Sequence, residues 1–387
     1  MRAGVVTGRA QGAGVTEEGG DVRELLTPYR AGRLELANRL AMAPMTRGRA
    51  DDVTGVPSPH AATYYQQRAG AGLLITEGVY VNALAKGGPG IPGLVTDAQA
   101  RGWREVTDAV HAEGGTIFAQ LWHVGRMTHP LTLPDGQLPV APSAVAIEGS
   151  RIFTRDGLLD HVTPRALTVG EIARTVGDFA SAARRAIGAG FDGVEIHGAN
   201  GYLIQQFIAD NTNLRTDAYG GSYENRTRFA LRVVDAVRAV WPRELPVFFR
   251  ISATDWLQET ARADGSAADG PLGWTADDTV RFARDLHAHG VDLLDVSTGG
   301  NATGVRIPTG PGYQVPFAAR VKAETDLPVA AVGKITEPEQ AEKILQSGEA
   351  DAVLLGRELL RDPYWAHRAA RALGRTPDYP NPYSWAA

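Results

Sequence analysis

The sequence predicts an eight-stranded β/α barrel, and three observations carry that prediction. Eight short apolar runs alternate strictly with eight longer amphipathic stretches. The runs are mostly too apolar to be half exposed, as expected of parallel strands covered on both faces. The glycine-rich turn that usually follows the first strand of a doubly wound sheet is missing, because Pro44-Met45-Thr46-Arg47 stands there. A chain of 387 residues has room for one large barrel with insertions, and it can bury a full core without staples.

In chain order, a strand at Arg39–Pro44 is followed by a helix at Ser58–Ala69, and a strand at Gly72–Val79 by a helix at Thr96–Glu113. The third pair is Gly115–Leu121 with Val169–Ala189, and the fourth Asp192–His197 with Glu224–Val240. Pro246–Ser252 pairs with Thr275–His289, and Val291–Ser297 with Gln314–Glu324. Pro328–Gly333 precedes Glu337–Gln346, and Ala350–Gly356 precedes Pro363–Leu373. Gly70, Gly114, Gly190, Gly290 and Gly348 follow helices, where a C-cap favours positive φ. Two connections are long, Trp122–Pro164 after the third strand and Ala253–Gly273 after the fifth. Both leave the strand ends at which barrels build their sites; the first is expected to form a small cap, the second to be mobile.

Residues 1–22 are rich in Gly and Ala and are expected to be a disordered extension. Their GRAQGAG stretch mimics a phosphate loop, but no strand precedes it and no Lys-Ser/Thr follows. The barrel is expected over 23–375, as a single (β/α)8 TIM barrel, with an extended tail at 376–387.

Composition narrows the function. With no cysteine, disulfides, iron–sulfur clusters, thiolate zinc sites and cysteine nucleophiles are excluded. A net charge of −5 without strong single-sign runs argues against nucleic acid or an anionic membrane as the main partner. No apolar run has the length of a membrane span, and the N-terminus lacks the apolar segment of a secretory signal, so a cytoplasmic protein is expected.

The polar residues at strand ends are Thr46, Glu77, Gln120, His123, His197, Asn200, Tyr202, Arg250, Ser297, Lys334 and Arg357. A packed barrel interior needs none of them. Glycines with a neighbouring cation late in the barrel, Gly333-Lys334 and Gly356-Arg357, suit a phosphate. Arg250 can stabilise an anionic electron-rich ring, and Gln120 can pair with both edges of a planar heterocycle.

These residues lie in motifs that resemble the old yellow enzyme family of FMN ene-reductases. The motifs are Ala43-Pro-Met-Thr46-Arg47, Gln120-Leu-Trp-His123-Val-Gly-Arg126, His197-Gly-Ala-Asn200-Gly-Tyr202, the Asn213–Arg226 stretch, and Gly356-Arg357 through Pro363. They occur in the family's order and span nearly the whole barrel.

The resemblance implies FMN as cofactor and NADPH or NADH as electron donor. It places Ala43, Pro44, Met45 and Gly78 against the flavin, the Thr46 hydroxyl at O4, and Gln120 on the pyrimidine edge. Arg250 would face N1 and O2, with Gly333, Lys334, Gly356 and Arg357 on the phosphate. It implies that His197 and Asn200 bind the substrate oxygen while Tyr202 supplies a proton. Trp256 is expected over the substrate pocket. The substrates implied are enones, maleimides and nitroalkenes. His123 and Arg126 read mainly as structural residues, and Glu77 as a buried, paired carboxylate.

Within the family the chain looks like a hybrid. Thr46 and Gly48 stand where the thermophilic-like branch has Cys and Tyr, yet Pro311-Gly-Tyr-Gln-Val-Pro-Phe-Ala resembles that branch. Such relatives often reach a neighbour's site with a C-terminal Arg; here no Arg follows Arg375. A homodimer with Trp385, and with it Tyr383, at the interface is the corresponding expectation. A metal-dependent hydrolase using His123, His129, His197 and Asp255 is disfavoured, because the partners at the strand ends are Gln, Asn, Tyr and Arg.

Overall fold

The computed structural model describes residues 23–264 and 270–377, together with 382 and 385. The expectations for residues 1–22 and for Tyr383 lie outside the described residues. A short hairpin, β1 (Tyr29–Ala31) and β2 (Leu34–Leu36), comes first. Then follow β3 (Leu40–Met42), α1 (His60–Gln66), β4 (Leu73–Tyr80), α2 (Asp97–Ala112) and β5 (Ile117–Trp122). The long connection after β5 holds β6 (Val140–Ala141), β7 (Arg151–Thr154), β8 (Gly157–Asp160) and β9 (Arg165–Ala166). Beyond it lie α3 (Val169–Gly188), β10 (Gly193–Gly198), α4 (Leu203–Ile208), α5 (Tyr223–Arg238) and β11 (Val247–Ser252). The chain continues through α6 (Leu257–Asp264), α7 (Ala276–Ala288), β12 (Leu293–Ser297), α8 (Val315–Glu324) and β13 (Val329–Ala331). It ends with α9 (Pro338–Gln346), β14 (Ala352–Leu355), α10 (Arg357–Arg361) and α11 (Trp365–Ala372).

β3, β4, β5, β10, β11, β12, β13 and β14 close into one parallel barrel, and β14 pairs back onto β3. Each falls within or overlaps one of the eight apolar runs. Side chains alternate in and out along each strand, so Phe118 and Gln120, Phe248 and Arg250, and Leu293 and Asp295 share the interior face. The interior is therefore layered. Ala41, Leu73, Phe118, Phe248, Leu293 and Leu354 fill the N-terminal half with apolar atoms, and Tyr29 and Leu34 of the hairpin pack on them. The polar layer lies above, towards the strands' C-terminal ends.

The helices start where short side chains cap them. Thr96 with Gln99, Thr168 with Glu171 and Thr275 with Asp278 form capping boxes on α2, α3 and α7. Each such cap contributes about 1 kcal/mol.

Three elements depart from the expected layout. α4 is wholly buried, so it carries no polar face and no amphipathic period to read. The expected last helix is split into α10 and α11, because Pro363 forces Asp362 into extended backbone, at φ −128° and ψ 94°. α6 occupies the first part of the connection after β11, where the sequence reading placed no helix, while 265–269 lie outside the described residues. In the connection after β5, β6 pairs with β9 and β7 with β8, forming the expected cap. Among the described residues no helix is long and apolar enough to cross a membrane.

Candidate active site

β10 delivers the central group. His197 ends the buried run and is 4 % exposed; its Nδ1 accepts the Ala199 N–H at 3.3 Å. The ring proton therefore resides on Nε2. Burial, reinforced by the charge of Arg250, holds this imidazole well below its usual pKa, so it is a neutral donor.

Asn200 follows in a left-handed conformation, φ +57°, which Asn tolerates better than most residues. Its N–H donates to Ser252 Oγ at 2.9 Å, and the Ser297 hydroxyl donates to its Oδ1 at 3.3 Å. With the oxygen engaged, the amide NH2 is the free end. At Gly201 a Cβ would come within 2.1 Å of the Gly300 carbonyl, so only glycine lets the loops after β10 and β12 approach this closely.

Tyr202 then lies edge-on to His197, with ring centroids 5.0 Å apart, and edge-on to Trp122 at 4.9 Å. Burial raises its phenol to about 12, so it keeps its proton at neutral pH. Trp122, which ends β5, stacks on His197 at 6.3 Å. A Cβ at Gly78 would meet its indole at 2.5 Å, which fixes glycine at that position.

Beneath this group lies the polar layer. Gln120 Nε2 donates to Glu195 Oε1 at 2.8 Å, and Arg250 Nη1 to Asp295 Oδ2 at 2.6 Å. Glu195 and Asp295 are completely buried. Both lie inside strands, whereas the polar candidates read from the sequence stand at strand ends. The signal was present as an acid flanked on both sides by apolar residues, Val194-Glu-Ile and Leu294-Asp-Val.

The Pro44–Arg47 loop leaves β3 along one side. Ala43 N–H bonds Leu355 O at 2.9 Å, joining the first strand end to the last. Glu77 accepts the Arg47 and Gly48 N–H groups at 2.9 and 3.2 Å and so pins the loop that carries Thr46. Burial outweighs those bonds and raises the Glu77 carboxyl to about 7.

The late glycines lie beside that loop, at the ends of β13 and β14, the strands that follow round the barrel to β3. Gly333 is buried, and a Cβ there would meet the Gln314 side chain at 2.9 Å. Lys334 adopts φ +52° and extends its ammonium to Thr309 O at 3.2 Å. A Cβ at Gly356 would lie 3.5 Å from Met45 Sδ, which brings the last strand end against the first loop. Arg357 is exposed there, and its charge, like that of Arg250, offsets part of the upward shift that burial gives the Tyr313 phenol.

Other candidates are placed further out. Trp256, at φ +64°, packs edge-on to Phe317 of α8, with centroids 5.3 Å apart. His123 accepts the Gly125 N–H, and burial lowers it to about 3, so it stays neutral. Arg126 donates to the carbonyls of Val145 and Asn301, tying the cap to the loop after β12.

The chemistry of this donor set fits FMN. A buried guanidinium and a carboxamide sit in the barrel mouth, Arg250 Nε is left without a partner, and exposed cations stand beside glycines at two late strand ends. The sequence matches the family described as NADH:flavin oxidoreductase / NADH oxidase over residues 24–375. An NADPH dehydrogenase of Geobacillus sp. (strain WCH70) is 40 % identical over 354 residues, covering 91 % of this chain and 95 % of that one. Morphinone reductase superposes with a TM-score of 0.77 at 40 % identity, covering 94 % and 93 % of the two chains. An old yellow enzyme homologue from Zymomonas mobilis gives 0.78 at 36 % identity over 94 % and 96 %. The barrel, its polar mouth and the extent of these matches lead to one placement: the chain belongs to the NADH:flavin oxidoreductase / NADH oxidase family, as an FMN-dependent NAD(P)H oxidoreductase of the old yellow enzyme type.

Proposed function

We propose that the enzyme is an ene-reductase, reducing the activated C=C bond of enones, maleimides or nitroalkenes at the expense of NADPH or NADH. One observation carries the reading: a neutral His197 Nε2–H, the free Asn200 amide and the protonated Tyr202 phenol share one short loop. When bound, FMN supplies the hydride chemistry that links nucleotide and alkene.

The residues of the chain do the rest. His197 and Asn200 donate to the carbonyl or nitro oxygen, and negative charge developing there is stabilised by donors that are already oriented. Tyr202 gives its phenolic proton to the α carbon. Trp122 excludes water from beside them, and Arg250 with Gln120 holds the ring edge. Ala43, Pro44, Met45 and Gly78 line the ring, while Gly333, Lys334, Gly356 and Arg357 hold the phosphate, Lys334 through its backbone as much as its turned-out ammonium. Trp256 shapes the pocket wall. The test is turnover of enones, maleimides and nitroalkenes with each nucleotide. Nucleotide oxidation by oxygen alone, with no alkene reduced in the panel, would overturn the reading.

Thr46 lies exposed on its loop beside Glu77's anchor, and on this reading its hydroxyl would donate to flavin O4. Thr46→Ala is then expected to lower the flavin midpoint potential by about 10–30 mV, the two-electron equivalent of one hydrogen bond of roughly 0.5–1.5 kcal/mol. A potentiometric titration showing no change, or a rise, would count against that contact.

We also propose a cytoplasmic homodimer. Trp385 is 83 % exposed in the single chain, its indole N–H bonded only to Pro382 O at 3.0 Å, which suits a ring buried by a second copy. Deleting residues 383–387 is expected to raise KM for bulky enones and to lower the sedimenting mass. Unchanged KM and mass would reduce the tail to packing.

A further inference from the structure

Four adjacent barrel strands each send one polar side chain into the closed interior: Gln120 from β5, Glu195 from β10, Arg250 from β11 and Asp295 from β12. The Phe118 and Phe248 rings, edge to face at 4.9 Å, floor the cluster. The two bonds already given use Gln120 Nε2, Glu195 Oε1, Arg250 Nη1 and Asp295 Oδ2. Glu195 Oε2 and Asp295 Oδ1 remain, each fully buried and without a donor. The two carboxyl groups lie within hydrogen-bond reach of each other. Two ionised carboxylates cannot bond to each other, and in a dry interior their repulsion is severe. One proton between them satisfies both oxygens. Asp295 bonds the guanidinium directly, whereas Glu195 feels that charge only from a distance and bonds a neutral amide, so the proton belongs on Glu195.

We propose that Glu195 is held as a neutral carboxylic acid donating to Asp295 Oδ1, and that by this bond it positions Gln120 and Arg250 for the flavin. The proposal rests on the reading that the flavin ring lies over those two residues. Burial raises both carboxyls; Asp295 raises Glu195 further, and Arg250 pulls Asp295 back down. With Glu195 neutral, the Gln120 amide donates downward and presents its oxygen to an N–H of the ring above. The charges of Arg250 and Asp295 then cancel. An ionised Glu195 would leave a net negative charge under a ring that itself becomes negative on reduction. His197, two residues further along the same strand, is neutral and adds no charge.

The test uses the holoenzyme at neutral pH. The infrared difference between wild type and Glu195→Gln is expected to show the C=O stretch of a protonated carboxylic acid that shifts in D2O. Glu195→Gln, which copies a neutral donor and acceptor, is expected to keep the ratio of dissociation constants for oxidised and reduced FMN within about twofold. Glu195→Leu, neutral but without the bonds, is expected to weaken FMN binding about tenfold. An acid band that is missing, or that persists in Glu195→Gln, overturns the proposal. So does a tenfold or larger change of the ratio in Glu195→Gln, because a charge would then have been lost. If the acid band vanishes in Glu195→Gln while Glu195→Leu leaves FMN binding intact, the proton stands. The positioning role then falls together with the placement of the ring.

Discussion

Replacing Tyr202 with Phe is expected to slow alkene reduction by about 10²–10⁴-fold while leaving flavin reduction by the nucleotide close to normal. The phenol carries the acidic proton of the loop that, on the proposed reading, binds the substrate oxygen. Burial keeps it protonated up to a pKa of about 12, so its contribution should not fall off across the neutral range. It declines only as the pH approaches that value. Phenylalanine preserves the ring that packs edge-on to Trp122 and His197, so the geometry of the other donors survives the change. Only the proton is removed. Hydride delivery from nucleotide needs no proton at the α carbon, which is why the two half-reactions should separate. Nitroalkenes, whose anions tolerate delayed protonation, should suffer less than enones. Rapid-mixing kinetics in which both half-reactions slow equally would exclude the role.

The barrel was legible because its eight strands are buried on both faces and therefore apolar almost throughout, a pattern that survives without any knowledge of partners. The elements that were not legible lack such a pattern. Buried α4 presents no polar side, and the β1–β2 hairpin has only three residues per strand, too few for an alternation to register. The site divides in the same way. His197, Asn200 and Tyr202 lie close together in sequence, at the end of β10 and in the turn that leads to α4, so their association needs no long-range information.

The pairing of Glu195 with Gln120 and of Asp295 with Arg250 is set by which strands lie side by side, through a register that no local sequence window contains. A charged residue inside an apolar strand is the one clue available in advance, since an acid there must find a partner or a proton. Lys334 shows the opposite limit. Its type suggests a cation near phosphate; its backbone is left-handed and its ammonium bonds Thr309 O. Residue type alone could not foresee that direction.

The double substitution His197→Ala with Asn200→Ala is expected to abolish binding of phenolic ligands while FMN remains bound. Both side chains carry a free N–H at the mouth of the barrel. His197 does so because Ala199 N–H occupies Nδ1 and burial keeps the ring neutral, Asn200 because Ser297 occupies its oxygen. A phenolate or enolate oxygen placed between them accepts two preorganised bonds, and each donor of this kind is worth roughly 10²–10³-fold in turnover. The single variants should therefore each lose about that factor. The double variant should lose more than either, unless the two donors act only as a unit. On the proposed reading FMN is held by other atoms, namely Gln120, Arg250 and the late glycines, so the protein should still purify yellow. Ligand binding is read from the long-wavelength charge-transfer band that a phenol produces over the flavin. A double variant that still forms this band would refute the assignment. Loss of FMN together with the band would show that these residues hold the barrel mouth together instead of the substrate.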